Sequence, residues 1–294
     1  VAAAFVGLSL LPLTMAANFK EELPATAILL VACWLAVKLS GLTGPARRPM
    51  RLALLSGLAL GAASAIKYTA VLGVGFIVLS CLWSAQGRHA DSTSSWRWGD
   101  AVRRAAVAGC GAAAGFLLLT PWLLVEPQLL IRGVHELTGW FGEFPQPVPP
   151  MVTHLCRQLP GGVGIPLAWL MLIGTCVALI RHRRSALLLF SHPFLLFLFL
   201  SPYVGTASHL MPALPFLSLL AAIGLTQMGQ ERIPHRATAQ ALIALVAVAV
   251  LWPTLTDACR LVIVRQRPDT QSLARDWIDT HLPPGASVLL DGVR

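Results

Sequence analysis

The first candidate for chemistry in this sequence is Lys67, which stands at the junction of two apolar runs, within Ser64–Thr69. Both runs are barely long enough to cross a membrane. A lysine at such a junction can extend its ammonium group to the membrane surface beside Tyr68, an aromatic residue typical of the interface. It can equally face a cavity and bind a phosphate, because a charge inside a membrane is costly and usually serves a function. The sequence leaves both interpretations open.

Three consecutive charges form a second candidate. Lys20, Glu21 and Glu22 directly precede an apolar run and therefore lie at the mouth of a predicted helix. They predict either an anchor at the membrane surface that marks the end of the helix, or a surface site that binds a charged headgroup or a metal ion.

His209 is the third candidate, because it begins an apolar segment that contains Pro212 and Pro215. A proline inside a helix removes a backbone hydrogen bond, so two prolines three residues apart predict a kink. His209 is either part of a purely structural kink or faces a cavity at the outer surface. The cysteines and histidines show no spacing typical of a metal site, and the sequence contains no P-loop, dinucleotide-binding glycine motif or zinc-binding helix motif.

The composition decides what kind of chain positions these residues. Of 294 residues, 56% are hydrophobic and only 12% are charged, against about 25% charged residues in a typical soluble domain. The mean hydropathy is +0.70. These values exclude a chain surrounded mainly by water. The net charge of +9 does not indicate a nucleic-acid partner, because the cations cluster in short loops between apolar runs.

The apolar runs predict an all-α fold, a polytopic transmembrane bundle of about nine helices, because backbone groups must be paired within helices in lipid. The predicted segments are Val1–Ala17, Leu23–Ser40, Leu52–Ile66, Thr69–Ala85, Ala105–Leu124, Gly161–Ile180, Leu187–Tyr203, His209–Met228 and Thr238–Thr256.

The distribution of Lys and Arg predicts the orientation of these segments. Alternate loops are rich in cations, and by the positive-inside rule they are cytoplasmic. These cations are Lys38, Arg47, Arg48, Arg51, Arg88, Arg97, Arg103, Arg104, Arg181, Arg183, Arg184, Arg232 and Arg236. Most acidic residues fall on the opposite side. Lys20, Lys67 and the C-terminus are therefore predicted to be extracytoplasmic.

Two outer regions are predicted besides the loop at Lys20. Residues 125–160 form a long loop, with a helix that begins near Pro127, lies in the membrane interface, and is followed by a proline-rich strip. Residues 257–294 are predicted to begin an outer α/β domain, with a helix after Asp269 and a strand at Ser287–Leu290. The sequence begins inside an apolar run and ends just after this strand, so we expect a fragment of a longer protein.

Several stretches together resemble the membrane glycosyltransferases of the C superfamily. The likeness is to the group of dolichyl-phosphate-mannose protein mannosyltransferases and bacterial aminoarabinose transferases (glycosyltransferase family 39). The stretches are Gly57–Gly61 followed by Ile66–Ala70, similar to "G-L-x-x-G … x-K-Y-T-x"; Leu210–Leu217, similar to "L-L-P-L-L-P-F-L"; Pro268–Ala286, similar to the opening of the family's outer domain; and Lys20–Pro24, where many members carry an acid. Ser208 and His209 depart from the family, which often has Arg-Tyr there.

The resemblance implies an enzyme that transfers a sugar from a polyprenyl-phosphate donor to an acceptor hydroxyl at the outer face of a membrane. The acceptor would be a protein, a lipid or a polysaccharide. The main catalytic acid would lie in an outer loop before Val1, with Glu21 and Glu22 in supporting roles, so the chain alone would be inactive. Lys67 would meet the leaving phosphate. The other implied substrate-binding residues are Lys20, Tyr68, His209, Trp140 and Glu143.

The resemblance also implies membrane lipids as surroundings and a bacterial inner membrane as the location, with no organic cofactor and with a divalent metal left open. From the residue types alone, Trp140 is an interfacial aromatic residue and Glu143 a solvated acid. A transporter or flippase that performs no chemistry is the competing interpretation, because broken helices occur in that class as well.

Overall fold

The computed structural model describes residues 1–17, 20–42, 47–86, 97–129, 131–133, 135, 149–201, 207–233, 235–266, 270–283 and 286. Within these ranges the regular elements are all helical, in agreement with the predicted all-α bundle. In chain order the helices discussed below are α1 (Ala2–Gly7), α2 (Leu10–Ala17), α3 (Glu22–Ser40), α4 (Arg47–Ile66), α5 (Val74–Ser84), α6 (Trp98–Leu119), α7 (Pro150–Thr153), α8 (Leu159–Val163), α9 (Ile165–Arg181), α10 (Arg183–Leu200), α11 (Leu214–Arg232), α12 (Arg236–Arg265) and α13 (Thr270–His281).

Among the described residues, six helical segments are long and apolar enough to cross a membrane, which confirms the membrane character of the chain but not the predicted number of nine. They are α3, α4, α6, α10, α12, and α11 together with the 3-10 helix Ala207–Ala213 that precedes it. A seventh is reached when α9 is joined to the helical segment before it, Pro150–Val163, across a bend of 118°.

Four of the nine predicted segments differ in shape from straight spans, and His209–Met228 is one of them, because it begins in the 3-10 helix Ala207–Ala213 and continues as α11. Val1–Ala17 is divided into the short helices α1 and α2, with a break at Leu8. Thr69–Ala85 begins as the 3-10 helix Tyr68–Gly73 and continues as α5. The predicted span Gly161–Ile180 is interrupted at Gly164, whose φ of 86° lies in the left-handed region that favours glycine. Hydropathy could not predict these breaks, because the residues beside them are as apolar as the rest.

Glycines bring α4 and α6 into backbone contact. A methyl group at Gly57 or Gly61 of α4 would overlap the backbone of Ala108 or Ala112 of α6. In the same way, a methyl group at Gly111 or Gly115 of α6 would overlap the backbone of α4. Small residues spaced four apart allow this approach, which gives van der Waals packing where lipid provides no hydrophobic driving force. The hydroxyl of Ser56 then donates to the carbonyl of Ala32, 2.8 Å away, which connects α4 to α3. Because α3 and α4 run in opposite directions, the start of α3 lies beside the end of α4.

A second close crossing joins α9 to α11. Gly174 of α9 packs directly on Ala221 and Gly224 of α11, again with no room for a side chain at the glycines. A buried cluster that includes Leu167, Met171 and Leu214 extends from this crossing. The crossing fixes α11, and with it the 3-10 helix that carries His209.

The regular elements described in the C-terminal region are two helices, α12 and α13. Helix α12 continues to Arg265, so the domain boundary predicted at residue 256 falls inside a helix. The predicted helix after Asp269 is present as α13. The predicted strand Ser287–Leu290 lies outside the described residues. Beyond Pro127, helical backbone is described at residues 128–129, 131–133 and 135, and the proline-rich strip up to residue 148 again lies outside.

Candidate functional site

Lys67 lies where the backbone changes from one helix type to another. Helix α4 ends at Ile66, and Lys67 itself is extended, with φ −142° and ψ 114°, before the 3-10 helix begins at Tyr68. Its backbone groups stay paired: the N–H donates to the carbonyl of Ala63 at 2.9 Å, and the carbonyl accepts from the N–H of Ala70 at 2.9 Å. The break therefore changes the direction of the Lys67 side chain, while the backbone N–H and carbonyl of Lys67 both keep a hydrogen-bond partner.

The ammonium group of Lys67 contacts two carboxylates at once. Its Nζ atom lies 3.0 Å from Oε1 of Glu21 and 3.2 Å from Oε1 of Glu22. These three residues are called the Lys67 cluster below. The side chains of Lys67 and Glu22 are 12% and 3% exposed, whereas Glu21 is 51% exposed. The cluster thus joins a buried ion pair to a carboxylate that also faces solvent.

The start of α3 favours two negative charges. Glu22 is its first residue and Glu21 immediately precedes it, where the positive end of the helix dipole stabilises a carboxylate. A hydrogen bond from its own backbone N–H lowers the pKa of Glu21, and the hydrogen bond from Lys67 lowers it further. Burial alone would lower the pKa of Lys67, but the hydrogen bonds and charges of Glu21 and Glu22 outweigh burial and raise it. Glu21 is therefore ionised and Lys67 protonated at neutral pH.

Three buried oxygen atoms near the cluster find no hydrogen-bond partner among the described residues. They are Oε2 of Glu22, the carboxylate oxygen that does not contact Lys67, and the hydroxyls of Tyr68 and Thr69. The ring of Tyr68 packs edge-on against Phe199, with 6.4 Å between ring centroids. A buried polar atom without a partner costs about 1–3 kcal/mol. Such atoms beside a lysine are suited to a ligand that carries hydroxyl groups.

His209 lies, half buried, on the 3-10 helix Ala207–Ala213, which contacts both α3 and the 3-10 helix Tyr68–Gly73. The structure thus brings His209 to the same region as the Lys67 cluster, which the sequence left open. The side chains of His154 and His209 are close enough for an electrostatic interaction between them.

His154 is a residue that the sequence did not single out. It is fully buried in the π-helical turn His154–Gln158, with its ring Nδ1 2.7 Å from the amide oxygen of Gln158. Turns of this type often occur at functional sites. The glutamine four residues after the histidine is the only sequence signal, and it is too common to be specific. Among the described residues, no group of three or more His, Cys, Asp and Glu side chains could hold a metal ion.

The remaining predicted site residues divide into two groups. Lys20 lies within the described residues and is exposed. The carboxylates of Glu21 and Glu22 pair with Lys67 and not with Lys20. Trp140 and Glu143 lie outside the described residues. The structure therefore brings together four of the eight predicted residues, Glu21, Glu22, Lys67 and His209, with Tyr68 adjoining them.

Comparisons with known proteins give no further guidance. Neither the protein-family models, nor the curated proteins, nor the solved structures include a match to this chain. The functional proposal therefore depends on the geometry of the Lys67 cluster and on the motif likeness described above.

Proposed function

We propose that the chain is part of a membrane glycosyltransferase, which moves a sugar from a polyprenyl-phosphate donor to an acceptor hydroxyl at the outer membrane face. The observation that carries the proposal is the Lys67 cluster. A protonated lysine, 12% exposed, is held at a helix break where two apolar segments meet. A charge kept in such a place indicates a function for it, and an ammonium group is a common ligand of phosphate.

The proposed reaction needs a cation at the leaving group. The acceptor oxygen forms a bond to the anomeric carbon while the bond from that carbon to the phosphate oxygen breaks, and the electron pair leaves with the lipid phosphate. Lys67 would stabilise the negative charge that grows on this phosphate. The proton of the acceptor hydroxyl would pass to an acid that the resemblance places before Val1. The configuration at the anomeric carbon would be inverted.

Glu22 is suited to binding a hydroxyl group in this reaction. Its Oε1 atom neutralises Lys67, whereas its buried Oε2 atom has no partner among the described residues. A carboxylate oxygen accepts hydrogen bonds, so Oε2 would receive one from a hydroxyl of the sugar or of the acceptor. The hydroxyl of Tyr68 is also buried without a partner among the described residues, and it would supply a second such contact.

The topology belongs to the same proposal. Nine membrane crossings, an extracytoplasmic C-terminus that begins an α/β domain, and a bacterial inner membrane are the arrangement that would place the cluster at the outer face. The partners would be the lipid-linked donor, membrane lipids, and an acceptor protein, lipid or polysaccharide. Trp140 and Glu143, which lie outside the described residues, stay predicted contacts of the donor, and Lys20 would contribute a further cation at the entrance.

The decisive experiment measures sugar transfer by variants that stay folded. In the complete gene product, Lys67→Arg keeps a positive charge but replaces a compact ammonium group with a planar fork. A donor to the leaving charge contributes about 2–4 kcal/mol, or about 30- to 1000-fold in rate. Because arginine keeps part of this interaction, we expect transfer from decaprenyl-phosphate mannose or decaprenyl-phosphate aminoarabinose to fall less, about 10- to 100-fold. Lys38→Gln is the control, because Lys38 lies at the other end of α3, stacked on Trp34 at 3.9 Å. Normal transfer by Lys67→Arg and by the double variant Lys67→Gln/Glu22→Gln would contradict the proposal.

A flippase is the second candidate, and one observation favours it. The helical segment Pro150–Val163 meets α9 at an angle of 118°, and bent or broken helices also line transport paths. The two functions differ in covalent chemistry. A flippase would move a fluorescent polyprenyl-phosphate sugar across a vesicle membrane and leave the sugar attached to its phosphate, whereas a transferase would release the lipid phosphate.

A further inference from the structure

The two carboxylates of the Lys67 cluster are unequal in burial and in attachment. Glu22 is 3% exposed and is the first residue of α3, whereas Glu21 is 51% exposed and precedes the helix. A buried charge that loses its partner is strongly destabilising, but an exposed carboxylate can exchange its partner for water at little cost. Glu22 is therefore fixed to Lys67, and Glu21 is free to turn away.

The charge of the cluster makes this difference important. When both carboxylates are ionised, they exceed the single ammonium by one negative charge. An anionic phosphate that approaches Lys67 would then meet the Glu21 carboxylate in its place, and placing like charges next to each other is costly. When Glu21 turns away, Lys67 and Glu22 form a neutral pair, and one of the three N–H bonds of the ammonium becomes available to a new acceptor.

We propose that Glu21 is a displaceable counter-ion, which occupies Lys67 until the phosphate of the lipid donor replaces it, while Glu22 remains in place. The proposal rests on the function proposed above and deepens it, because it assigns different roles to two neighbouring acids. Lys20 supports the exchange: it is exposed, adjoins Glu21 in sequence, and already attracts the Glu21 carboxylate. The released carboxylate therefore has a second cation beside it.

The consequence is that the site would select ligands by their charge. A neutral lipid cannot compete with Glu21 for Lys67, whereas a phosphate can. Removing the charge of Glu21 should thus strengthen the binding of phosphate-bearing lipids, although Glu21 belongs to the site. A residue that contacts the donor directly would show the opposite effect.

The test measures lipid binding by the complete gene product in nanodiscs of phosphatidylcholine. The probes are decaprenyl phosphate and decaprenol, which differ only in the phosphate group, and affinity is expressed as mole fraction in the bilayer. We expect Glu21→Gln and Glu21→Ser to bind decaprenyl phosphate about 10-fold more tightly than the unmodified protein, with decaprenol unchanged. Glu126→Gln is the matched control, because Glu126 is another exposed acid that is predicted on the same side, and its loss should change neither affinity.

The outcomes separate this inference from the function on which it rests. If the unmodified protein prefers decaprenyl phosphate to decaprenol and Lys67→Gln/Glu22→Gln loses that preference, lipid-phosphate recognition at Lys67 is supported. Unchanged or weaker binding by both Glu21 variants would then overturn only the displacement of Glu21. If the unmodified protein does not distinguish the two lipids and the Glu21 variants do not either, both proposals fail. If Glu21→Gln and Glu126→Gln increase the affinity for decaprenyl phosphate equally, the cause is the overall charge of the protein, and the inference is overturned.

Discussion

Removing the charge of Lys67 should destabilise the protein more than removing the charge of Glu22, and the two losses should not add. Lys67→Gln leaves the Glu22 carboxylate, 3% exposed, without the ammonium group that lies 3.2 Å from it. Glu22→Gln is milder, because Lys67 keeps Glu21 at 3.0 Å. The double variant removes both buried charges and leaves no unpaired ion at Glu22.

The expected sizes follow from the burial and the distances. Breaking a buried pair by removing one partner costs about 3–5 kcal/mol, and the partial exposure of Lys67 favours the lower end, about 3 kcal/mol. Glu22→Gln should cost about 1 kcal/mol, since the remaining pair with Glu21 is closer to solvent. We expect about 2 kcal/mol for the double variant, so the coupling between Lys67 and Glu22 is about 2 kcal/mol. With about 2 °C per kcal/mol for a chain of this size, Lys67→Gln lowers the unfolding midpoint by about 6 °C.

The assay is thermal unfolding of the detergent-solubilised protein, followed by tryptophan fluorescence for the four proteins of the cycle. Lys38→Gln, an exchange at the opposite end of α3, serves as the control and should leave the midpoint within about 1 °C. The reasoning is refuted if Lys67→Gln is as stable as the control, or if the double variant loses the full sum of the two single losses. Either result would mean that Lys67 and Glu22 do not form a buried pair in the folded protein.

Three further predictions concern packing, pH and topology. Gly111→Leu should disrupt the crossing of α4 and α6 and lower the unfolding midpoint by several degrees, because its side chain would overlap the backbone of Leu54, whereas Gly109→Leu on the same helix meets no atom within 4 Å and should be neutral. The pKa of Glu21 is lowered from 4.5 by hydrogen bonds of the folded state, so its contribution to stability is present above that value and is lost as the pH falls through the lowered pKa. The unmodified protein should therefore lose more stability below about pH 4.5 than Glu21→Gln does; parallel melting curves across that range would contradict this account. In a cysteine-free background, Lys20→Cys should react with an impermeant thiol reagent in intact cells and Arg183→Cys only after lysis, because the two positions are predicted on opposite sides; labelling of both from outside would exclude the topology.

Hydropathy predicted the membrane character and most of the long helices, because each of these is a property of a local run of residues. The position of Lys67, a charge between two apolar runs, is also a property of the local sequence. Its pairing with Glu21 and Glu22 could not be predicted, since these residues are more than forty positions away in sequence. That contact depends on which helices are neighbours, and the neighbours are set by glycines such as Gly57 and Gly61 and by the bond from Ser56 to Ala32. His154 was missed for the same reason.

The backbone around Lys67 gives an independent argument for a site. Three departures from regular α-helix lie near the start of α3: the break at Lys67, the 3-10 helix Ala207–Ala213 that carries His209, and the π-helical turn at His154, whose charge interacts with that of His209. Irregular backbone at membrane depth is tolerated where it is buried in protein or lines a water-filled cavity, because lipid cannot pair its polar groups. Packing alone would favour continuous helices at each of these places. Because they coincide with a lysine, two carboxylates and two histidines, we expect a cavity that admits a polar group here instead of three unrelated kinks.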